Sequence, residues 1–305
     1  MSLLDYDRLV AHYGYDSLPN CLSDLKVRYV SMAKTVLNWV GNKRVSYQAL
    51  TIEQIRESRP SSDRIFVLGG SETISDIEDW QWAQVAEHDS ISMNWWPVHD
   101  FVPTYYYSNY PRDPAYFAHY RRILGPRVQA YKDTVFLLSR NRVLRRGLHP
   151  RVLPELFSHE ATCCFYEYVK PIAVPDKREF KRTLYYRGGL SLILDLIYKL
   201  GYREIILLGV DLRNSVHFYD HYPEMQWQFE TGYSEPVEKK RYQKHGILLH
   251  DIPVSDYIYA LHDEFLSPQG ISLYVGSRVS LLAERIPVWT FRERASSTSD
   301  ASTRE

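Results

Sequence analysis

Two glycine-rich turns are the places where this chain could hold an anion. The first follows a short apolar run in Ile65-Phe-Val-Leu-Gly69-Gly70-Ser71, and the second is Gly188-Gly189-Leu-Ser. Glycine lets a ligand approach the backbone, and a helix that starts behind the turn offers unpaired N–H groups and a positive dipole end. Two such turns on one sheet predict a phosphorylated ligand bound between them. Neither has the G-x-G-x-x-G or G-x-x-x-x-G-K-[ST] spacing of ordinary dinucleotide and P-loop sites.

The segments around these turns predict an α/β fold, a single Rossmann-like domain with a mostly parallel sheet, because short apolar strands alternate with helical patterns. Ligands bind such sheets beyond the carboxyl ends of the strands. Asn94 and Asp211 each follow a predicted strand, so they join Gly69, Gly70 and Ser71 at that edge. The predicted strands are 65–68, 90–93, 104–107, 134–138, 204–208 and 272–275, and the predicted helices are 75–85, 115–123, 190–200, 255–265 and 278–284. Ser75, with Glu78 at capping-box spacing, is the candidate N-cap of the first helix, and Gly201 is the predicted end of the third.

Three parts of the chain are predicted from these patterns. Residues 1–60 form an N-terminal helical extension, in which 22–40 has apolar residues at helical spacing. Residues 61–290 form the α/β catalytic domain, and its long polar and aromatic stretch, about 212–250, is typical of a lid. Residues 291–305 are of low complexity and are predicted to be a disordered tail.

Composition limits the class of protein. The 305 residues include 37 basic and 37 acidic side chains, so net charge gives no reason to expect nucleic acid as a partner. Three cysteines are too few for a disulfide framework, which favours a reducing compartment. No apolar run approaches the roughly 18 residues of a membrane span, and the start of the chain is unlike a signal peptide. These features predict a cytoplasmic protein. The 25 tyrosines suit either sugar stacking or the edges of a core.

Several motifs, taken in order, resemble one known family. They are VLGGS at 67–71, the strand end Ser-Met-Asn94, Gly-Gly-Leu-Ser at 188–191, and LGYREIILLGVD at 200–211. A histidine and the run LYVGSRVSLL at 273–282 follow. Over roughly residues 64–289 the chain resembles the bacterial sialyltransferases of glycosyltransferase family 42. The segment at 200–211 is the most specific part of the resemblance.

The resemblance implies an inverting transferase that needs no metal and no cofactor beyond its substrate. It would move a 2-keto acid sugar from a CMP-activated donor to a hydroxyl of a glycan or glycolipid acceptor. The donor nucleotide would lie against Gly69, Gly70, Ser71 and Asn94, with Gly188 and Gly189 near the cytosine and ribose and Asp211 close by. Sialic acid and a Kdo-like sugar both remain open as the transferred group. The setting would be lipopolysaccharide or capsule biosynthesis.

The resemblance also implies the catalytic groups. His250 matches the family's base histidine in its sequence context, with His245 five residues before it. The family holds the leaving phosphate with two tyrosines after the aspartate. Here Tyr219 stands at the second position and Arg213 at the first, and a guanidinium also stabilises a phosphate well. His217 and His221 flank Tyr219.

Other interpretations stay open from the residues alone. A nucleotide-dependent pyrophosphokinase would need a carboxylate pair for magnesium, and the sequence offers no convincing pair. A non-catalytic nucleotide- or sugar-binding module would keep the glycine turns without the chemistry. No metal site is expected, since in His217-x-x-x-His221 no glutamate follows the first histidine and the segment is typical of a loop.

Positive charge concentrates between residues 121 and 151. This cluster could contact an anionic membrane, which would place the protein at the inner face of the inner membrane, or an acidic acceptor. It could equally be a solvated surface. The helical extension could serve as a surface for homo-oligomer assembly. The cluster consists of Arg121, Arg122, Arg127, Lys132, Arg140, Arg142, Arg145, Arg146 and Arg151.

Overall fold

A computed structural model describes residues 48–58, 62–108, 114–139, 162–166, 189–213, 216–226 and 253–292. Within them the chain is an α/β structure built on one sheet, in which every pair of neighbouring strands is parallel. The strands are β1 Gln48–Leu50, β2 Arg64–Leu68, β3 Asp89–Met93, β4 Tyr105–Ser108, β5 Val135–Ser139, β6 Thr162–Tyr166, β7 Glu204–Leu208 and β8 Ser272–Val275. The α-helices are α1 Ile52–Ser58, α2 Asp79–Val85, α3 Pro114–Leu124, α4 Gly189–Leu200 and α5 Val254–Ala260.

The strand order is β1-β6-β5-β4-β3-β2-β7-β8. From β2 the chain steps outward through β3, β4, β5 and β6, and it then returns to the other side of β2 for β7 and β8. The order of the strands therefore reverses between β2 and β7. In open parallel sheets such a reversal opens a crevice at the carboxyl ends of the two strands, where ligands bind. Leu68 pairs with Leu208, so β2 and β7 end level with each other.

Strands β2 and β7 are buried on both faces, as their nearly continuous apolar sequences predict. In β2, Ile65 and Val67 face one hydrophobic core, while Phe66 and Leu68 face a second core on the other side. Helix α4 packs in the first core with all residues from Leu190 to Leu200 buried. Gly201 follows it with φ +88°, a left-handed conformation that ends the helix at the predicted glycine.

The sequence located six strands within one or two residues of their observed bounds, but two helices differ. The helix predicted over 75–85 with Ser75 as its N-cap is wrong. A 3₁₀ turn, Glu72–Asp76, comes first, and α2 begins only at Asp79. Glu78 caps α2 in a reciprocal pair with Gln81, so the glutamate is the cap itself.

The second difference concerns the last predicted helix, 278–284, which is only a 3₁₀ turn, Leu281–Glu284. Ser280 caps the start of this turn by accepting the N–H of Leu282. Helix α5 continues as a π-helical turn, Leu261–Leu266, so the prediction of a helix over 255–265 is correct in place but not in type throughout.

Residues 48–58 belong to the sheet, although they fall inside the predicted helical extension. Strand β1 pairs with β6 at one edge, and α1 buries Ile52 and Ile55 in the first core. Thr51 and Gln54 form a capping box at the start of α1, with N–H to side-chain distances of 2.8 and 3.2 Å. The rest of the predicted extension, most of the lid and residues 293–305 of the tail lie outside the described residues.

Most of the tyrosines within the described ranges are core residues. On β4, Tyr105 and Tyr107 face the first core and Tyr106 faces the second. The buried hydroxyl of Tyr202 donates to Asp89 at 2.7 Å and lies 3.1 Å from that of Tyr105. Burial therefore accounts for a large share of this residue type. The buried tyrosines are Tyr105, Tyr106, Tyr107, Tyr120, Tyr131, Tyr198, Tyr202, Tyr219, Tyr257 and Tyr259.

No helix among the residues that the structure describes is long and apolar enough to cross a membrane.

At least one arginine of the basic cluster has a structural role. Arg127 donates to the carbonyl oxygens of Pro97, His99 and Asp100, so it ties the end of α3 to the turn after β3. The members of the cluster from Arg140 onward lie outside the described ranges.

The backbone of β2 meets that of β7 most closely just beyond the strand ends. A Cβ atom built on Gly69 would fall far inside van der Waals contact of the carbonyl of Gly209. Gly69 also donates its N–H to Leu208 at 2.7 Å. Only glycine fits this approach.

We therefore expect Gly69→Ala to lower the free energy of unfolding by about 2–3 kcal/mol or more, because the added methyl group forces β2 and β7 apart. Gly125→Ala is the matched control, since a Cβ there would meet nothing within 4 Å. It should change the free energy of unfolding by less than about 0.5 kcal/mol. Urea unfolding of both variants measures the difference, and equal stabilities would contradict the close approach.

Candidate functional site

The candidate site lies at the carboxyl ends of β2 and β7, where two turns are hydrogen-bonded to each other. We call the residues Gly69–Ser71 and Gly209–Asp211 the switch-point turns. Ser71 donates its N–H to the carbonyl of Gly209 at 2.9 Å, and its Oγ accepts the N–H of Asp211 at 3.0 Å. Gly209 has φ +63°, which allows its carbonyl to turn toward β2. The structure thus brings together three predicted site residues, Gly69, Ser71 and Asp211.

The carboxylate of Asp211 occupies the start of the 3₁₀ turn behind Ser71. The hydroxyl of Thr73 lies 2.9 Å from both of its oxygens. The backbone of Thr73 also bonds this carboxylate. Burial raises the pKa of Asp211, and these bonds from Thr73 oppose that rise. The protein's own carboxylate therefore takes a position that the sequence assigned to an external anion.

This arrangement limits what the first glycine turn can offer a phosphate. The N–H groups of Gly69, Ser71 and Thr73 are all used within the chain. Glu72 adds a second acidic side chain in the same turn. The open side of the turn is at Gly70, which lies half-buried beneath a short segment from the predicted lid.

That segment is the 3₁₀ turn Phe218–His221, and it covers Gly70. His217 bridges to Ser71, and the N–H of Phe218 donates to the carbonyl of Gly70 at 3.0 Å. A Cβ on Gly70 would lie 3.3 Å from the Tyr219 ring and 3.4 Å from Nδ1 of His217. Tyr219, predicted to hold the leaving phosphate, therefore packs directly over the glycine turn.

An aromatic cluster holds the 218–221 turn in place. The ring of Phe218 packs edge-on against Trp96 at 5.2 Å and His99 at 5.6 Å, and His99 stacks on Trp96 at 4.7 Å. Nδ1 of His99 accepts the N–H of Phe101 at 3.0 Å, which requires an unprotonated nitrogen. Burial lowers the pKa of His99 to about 4.

A second corner of the same edge carries Asn94 and Gly189. Asn94 follows β3 with φ +58°, and the Tyr106 hydroxyl donates to its carbonyl. Gly189 starts α4, and a Cβ there would lie 3.2 Å from the Tyr107 ring and 3.6 Å from the sulfur of Met93. Both glycine turns therefore lie at the carboxyl edge of the sheet. Gly188 falls outside the described residues.

Arg213 and Tyr219 lie on different sides of the switch point. The charge of Arg213 acts on Asp211 and on Tyr259. Tyr259 belongs to the first core, whereas Tyr219 belongs to the second. Among the described residues, no hydrogen bond or ion pair joins the two predicted phosphate contacts. His250, the predicted base, lies outside the described ranges.

The sequence analysis assigned no functional role to two residues of this site. Thr73 is the partner of Asp211, and a hydroxyl in the first turn behind a glycine pair is the signal that could have found it. The sequence analysis considered His217 as a neighbour of Tyr219 and as a rejected metal ligand, and its contact with Gly70 depends on the fold. In the described part of the chain, no three His, Cys, Asp or Glu side chains converge on a position for a metal ion.

No protein-family model matches this chain, and no curated protein matches it either.

The buried His99 predicts a pH dependence of stability. Burial holds the pKa of His99 at about 4 in the folded protein, below its ordinary value of 6.5, so between these two pH values only the unfolded chain binds this proton. The free energy of unfolding should therefore fall as the pH decreases through this window, by up to about 1.4 kcal/mol per pH unit from this residue. His99→Asn keeps an acceptor for Phe101 and removes the titration.

Urea unfolding at several pH values between 4 and 6.5 measures the slope. The His99→Asn protein should show a shallower slope than wild type. His221→Asn is the control, because the His221 side chain is 66% exposed and the slope should be unchanged. Parallel curves for wild type and His99→Asn would contradict this assignment.

Proposed function

We propose that the protein is an inverting glycosyltransferase that moves a 2-keto acid sugar, of the sialic acid or Kdo type, from its CMP-activated donor to a glycan hydroxyl. The observation that carries this proposal is the strand-order reversal between β2 and β7, at which Gly70, Ser71, Asp211 and Tyr219 meet. Asn94 and Gly189 lie along the same edge. These are the residues that the family resemblance assigns to the donor.

The placement of charge favours a particular orientation of the donor. Asp211 and Glu72 make the 3₁₀ start behind Ser71 unfavourable for a phosphate, because like charges repel there. Helix α4 starts at Gly189 at the same edge, and its first turn has no acidic residue. Backbone N–H groups and the positive dipole end at that start suit a polar or anionic part of the nucleotide.

The leaving phosphate then falls between the 218–221 turn and Arg213. Tyr219 reaches the site above Gly70, and Arg213 approaches from the side of α5. A guanidinium and a phenol on opposite flanks would stabilise the charge that builds on the phosphate as the bond to the sugar breaks. No described hydrogen bond or ion pair joins Arg213 to Tyr219, so in this proposal the two side chains contact each other only through the bound phosphate.

The proposed reaction exchanges one bond for another. The acceptor oxygen attacks the anomeric carbon from the face opposite the phosphate, and the bonding pair of the breaking bond leaves with CMP. A histidine takes the acceptor proton. The sequence nominates His250 for that role. The acceptor would be a glycan or glycolipid in the cytoplasm, and the reaction requires no metal.

Nucleotide binding is the direct test. We expect CMP to raise the melting temperature without magnesium, and to do so more than CDP, UMP, UDP, GMP, AMP or ATP. A ligand at about 100 times its dissociation constant adds about 2.7 kcal/mol to the stability, which is easily detected. A preference for ATP with magnesium would instead indicate a pyrophosphokinase-like enzyme. CMP binding without any release of CMP from CMP-sugars would indicate a binding module.

Gly70→Ala tests where the donor binds. The new methyl group would lie 3.3–3.4 Å from the Tyr219 and His217 rings and push them from the turn. We expect CMP affinity to fall by about tenfold or more with the chain still folded, because the contact is with side chains. Gly125→Ala, with open space around it, should bind as wild type does. Unchanged affinity in Gly70→Ala would place the donor elsewhere.

A further inference from the structure

We propose that the protein has a second ligand site, at the amino-terminal end of β2, which binds a small aromatic carboxylate. The site is a cavity of about 150 Å³ between the start of β2, the end of α2 and the segment 289–292. The 5 residues of β2, about 16 Å of extended chain, separate it from the switch-point turns. The inference is therefore independent of the proposed function.

Arg64 is the fixed cation of this cavity. Its Nε donates to the Glu204 carboxylate at 2.6 Å, and its Nη1 donates to Nε2 of His88 at 3.0 Å. The guanidinium also lies over the Trp289 ring, 4.5 Å from the ring centroid. None of the described residues bonds its Nη2, so that group is left to donate to a ligand. A guanidinium that is already held in place loses little freedom when an anion binds.

His88 helps to hold Arg64 and adds no positive charge at neutral pH. A guanidinium can only donate, so Nε2 of His88 is the acceptor and its Nδ1 carries the hydrogen. That Nδ1 lies 3.2 Å from Oγ of Ser62, which can accept the bond. Burial and the charge of Arg64 lower the pKa of His88, while nearby carboxylates oppose this change. The positive charge at this corner of the cavity therefore belongs to Arg64.

Arg292 supplies a second cation on the exposed side of the cavity. Its backbone is fixed to α2, because the side-chain amide of Gln84 donates to the carbonyl of Arg292 at 2.7 Å and accepts its N–H at 3.4 Å. The residue is exposed, and none of the described residues pairs with its guanidinium. The side chain can therefore turn toward a bound anion without losing a described contact.

Aromatic rings form the walls between the two arginines. Phe66 is buried at the base of the cavity, and the Trp289 ring meets it edge-on with centroids 6.4 Å apart. Phe291 stacks on Phe66 at 6.2 Å with an angle of 3°. Such surfaces suit a flat aromatic ring. A cavity of about 150 Å³ is large enough for one benzene ring, so the size indicates a ligand with a single ring.

The charges around the cavity favour a singly charged ligand. Glu87 also lines the cavity, and Glu204 pairs with Arg64. These carboxylates offset much of the positive charge of Arg64 and Arg292, so the attraction for a phosphate dianion is weakened. A carboxylate needs only the planar donors that a guanidinium presents. One carboxylate on one aromatic ring is therefore the chemistry that the cavity fits.

Benzoate, a single ring with one carboxylate, is the probe for this site. We expect it to bind the full chain with a dissociation constant in the range of about 1 mM or below, and to raise the melting temperature. Benzamide has the same shape without the charge, and inorganic phosphate has no ring, so each should bind at least about tenfold more weakly. NMR titrations measure the three affinities. No benzoate binding up to about 10 mM, or equal binding of benzamide or phosphate, would overturn the inference.

Arg292→Gln tests the location of the bound benzoate. We expect the affinity to fall by about tenfold, because a charge-assisted hydrogen bond to the carboxylate is lost. Arg278→Gln is the matched control, since Arg278 is an exposed arginine in the turn after β8, at the carboxyl edge of the sheet. It should bind benzoate within about twofold of wild type. Unchanged affinity in Arg292→Gln, or an equal loss in both variants, would contradict the assignment.

Competition with CMP separates this site from the candidate donor site. CMP should leave the affinity for benzoate unchanged, because the cavity and the switch-point turns lie at opposite ends of β2. Displacement of benzoate by CMP would overturn the second site. Benzoate binding by a protein that neither binds CMP nor releases it from CMP-sugars would support the second site while the proposed function fails.

Discussion

The contact between the backbones of β2 and β7 is the constraint on which the rest of the structure depends. Gly69 and Gly209 approach so closely that neither can carry a side chain: Gly69 faces a carbonyl, and Gly209 has φ +63° with Ile74 packed against it. The approach brings both strands to an end at the same level. It also lets Ser71 bond to the β7 turn by both its N–H and its Oγ. On the far side, Ser280 and Leu281 bond to Val210 and Asp211, so the β7 turn is held from two directions.

The contact between the strands uses backbone N–H groups that the sequence analysis predicts as ligand contacts. Asp211 fills the start of the 3₁₀ turn and takes bonds from Thr73 that a phosphate would otherwise receive. A glycine pair after a strand therefore has two physical meanings, a ligand cradle or a close strand contact. Here the strand contact explains Gly69, and the close packing of Tyr219 and His217 over the turn limits the side chain at Gly70. In the proposed reaction the donor consequently lies along the edge of the sheet from Gly70 toward Asn94 and Gly189, away from the Asp211 and Glu72 side chains.

The sequence predicted six of the eight strands that the structure describes, missing β1 and β6. Short apolar runs such as those of β2 and β7 made the strands recognisable, and Gly201 marked the end of α4. The sequence did not predict β1, whose three residues are too short for a period to show, although the Thr51 and Gln54 capping signal was present. The start of α2 was misplaced because both Ser75 and Glu78 have side chains that can cap a helix. In the structure Ser75 lies inside the 3₁₀ turn Glu72–Asp76, and Glu78 is the N-cap of α2. The pairing of His217 with Gly70 joins positions far apart in the chain, so only the fold reveals it.

Tyr219 and Phe218 show how the second core positions side chains at the carboxyl edge of the sheet. They are adjacent in one short 3₁₀ turn: Phe218 packs among Trp96 and His99, and Tyr219 packs against Gly70 and His217. A turn of four residues has little freedom to bend between them. Any shift of Phe218 in its aromatic cluster must therefore move Tyr219 and the stacked imidazole together. The aromatic residues after β3 act as the support that sets the distance between His217 and the glycine turn, so the precision of the proposed site derives from hydrophobic packing.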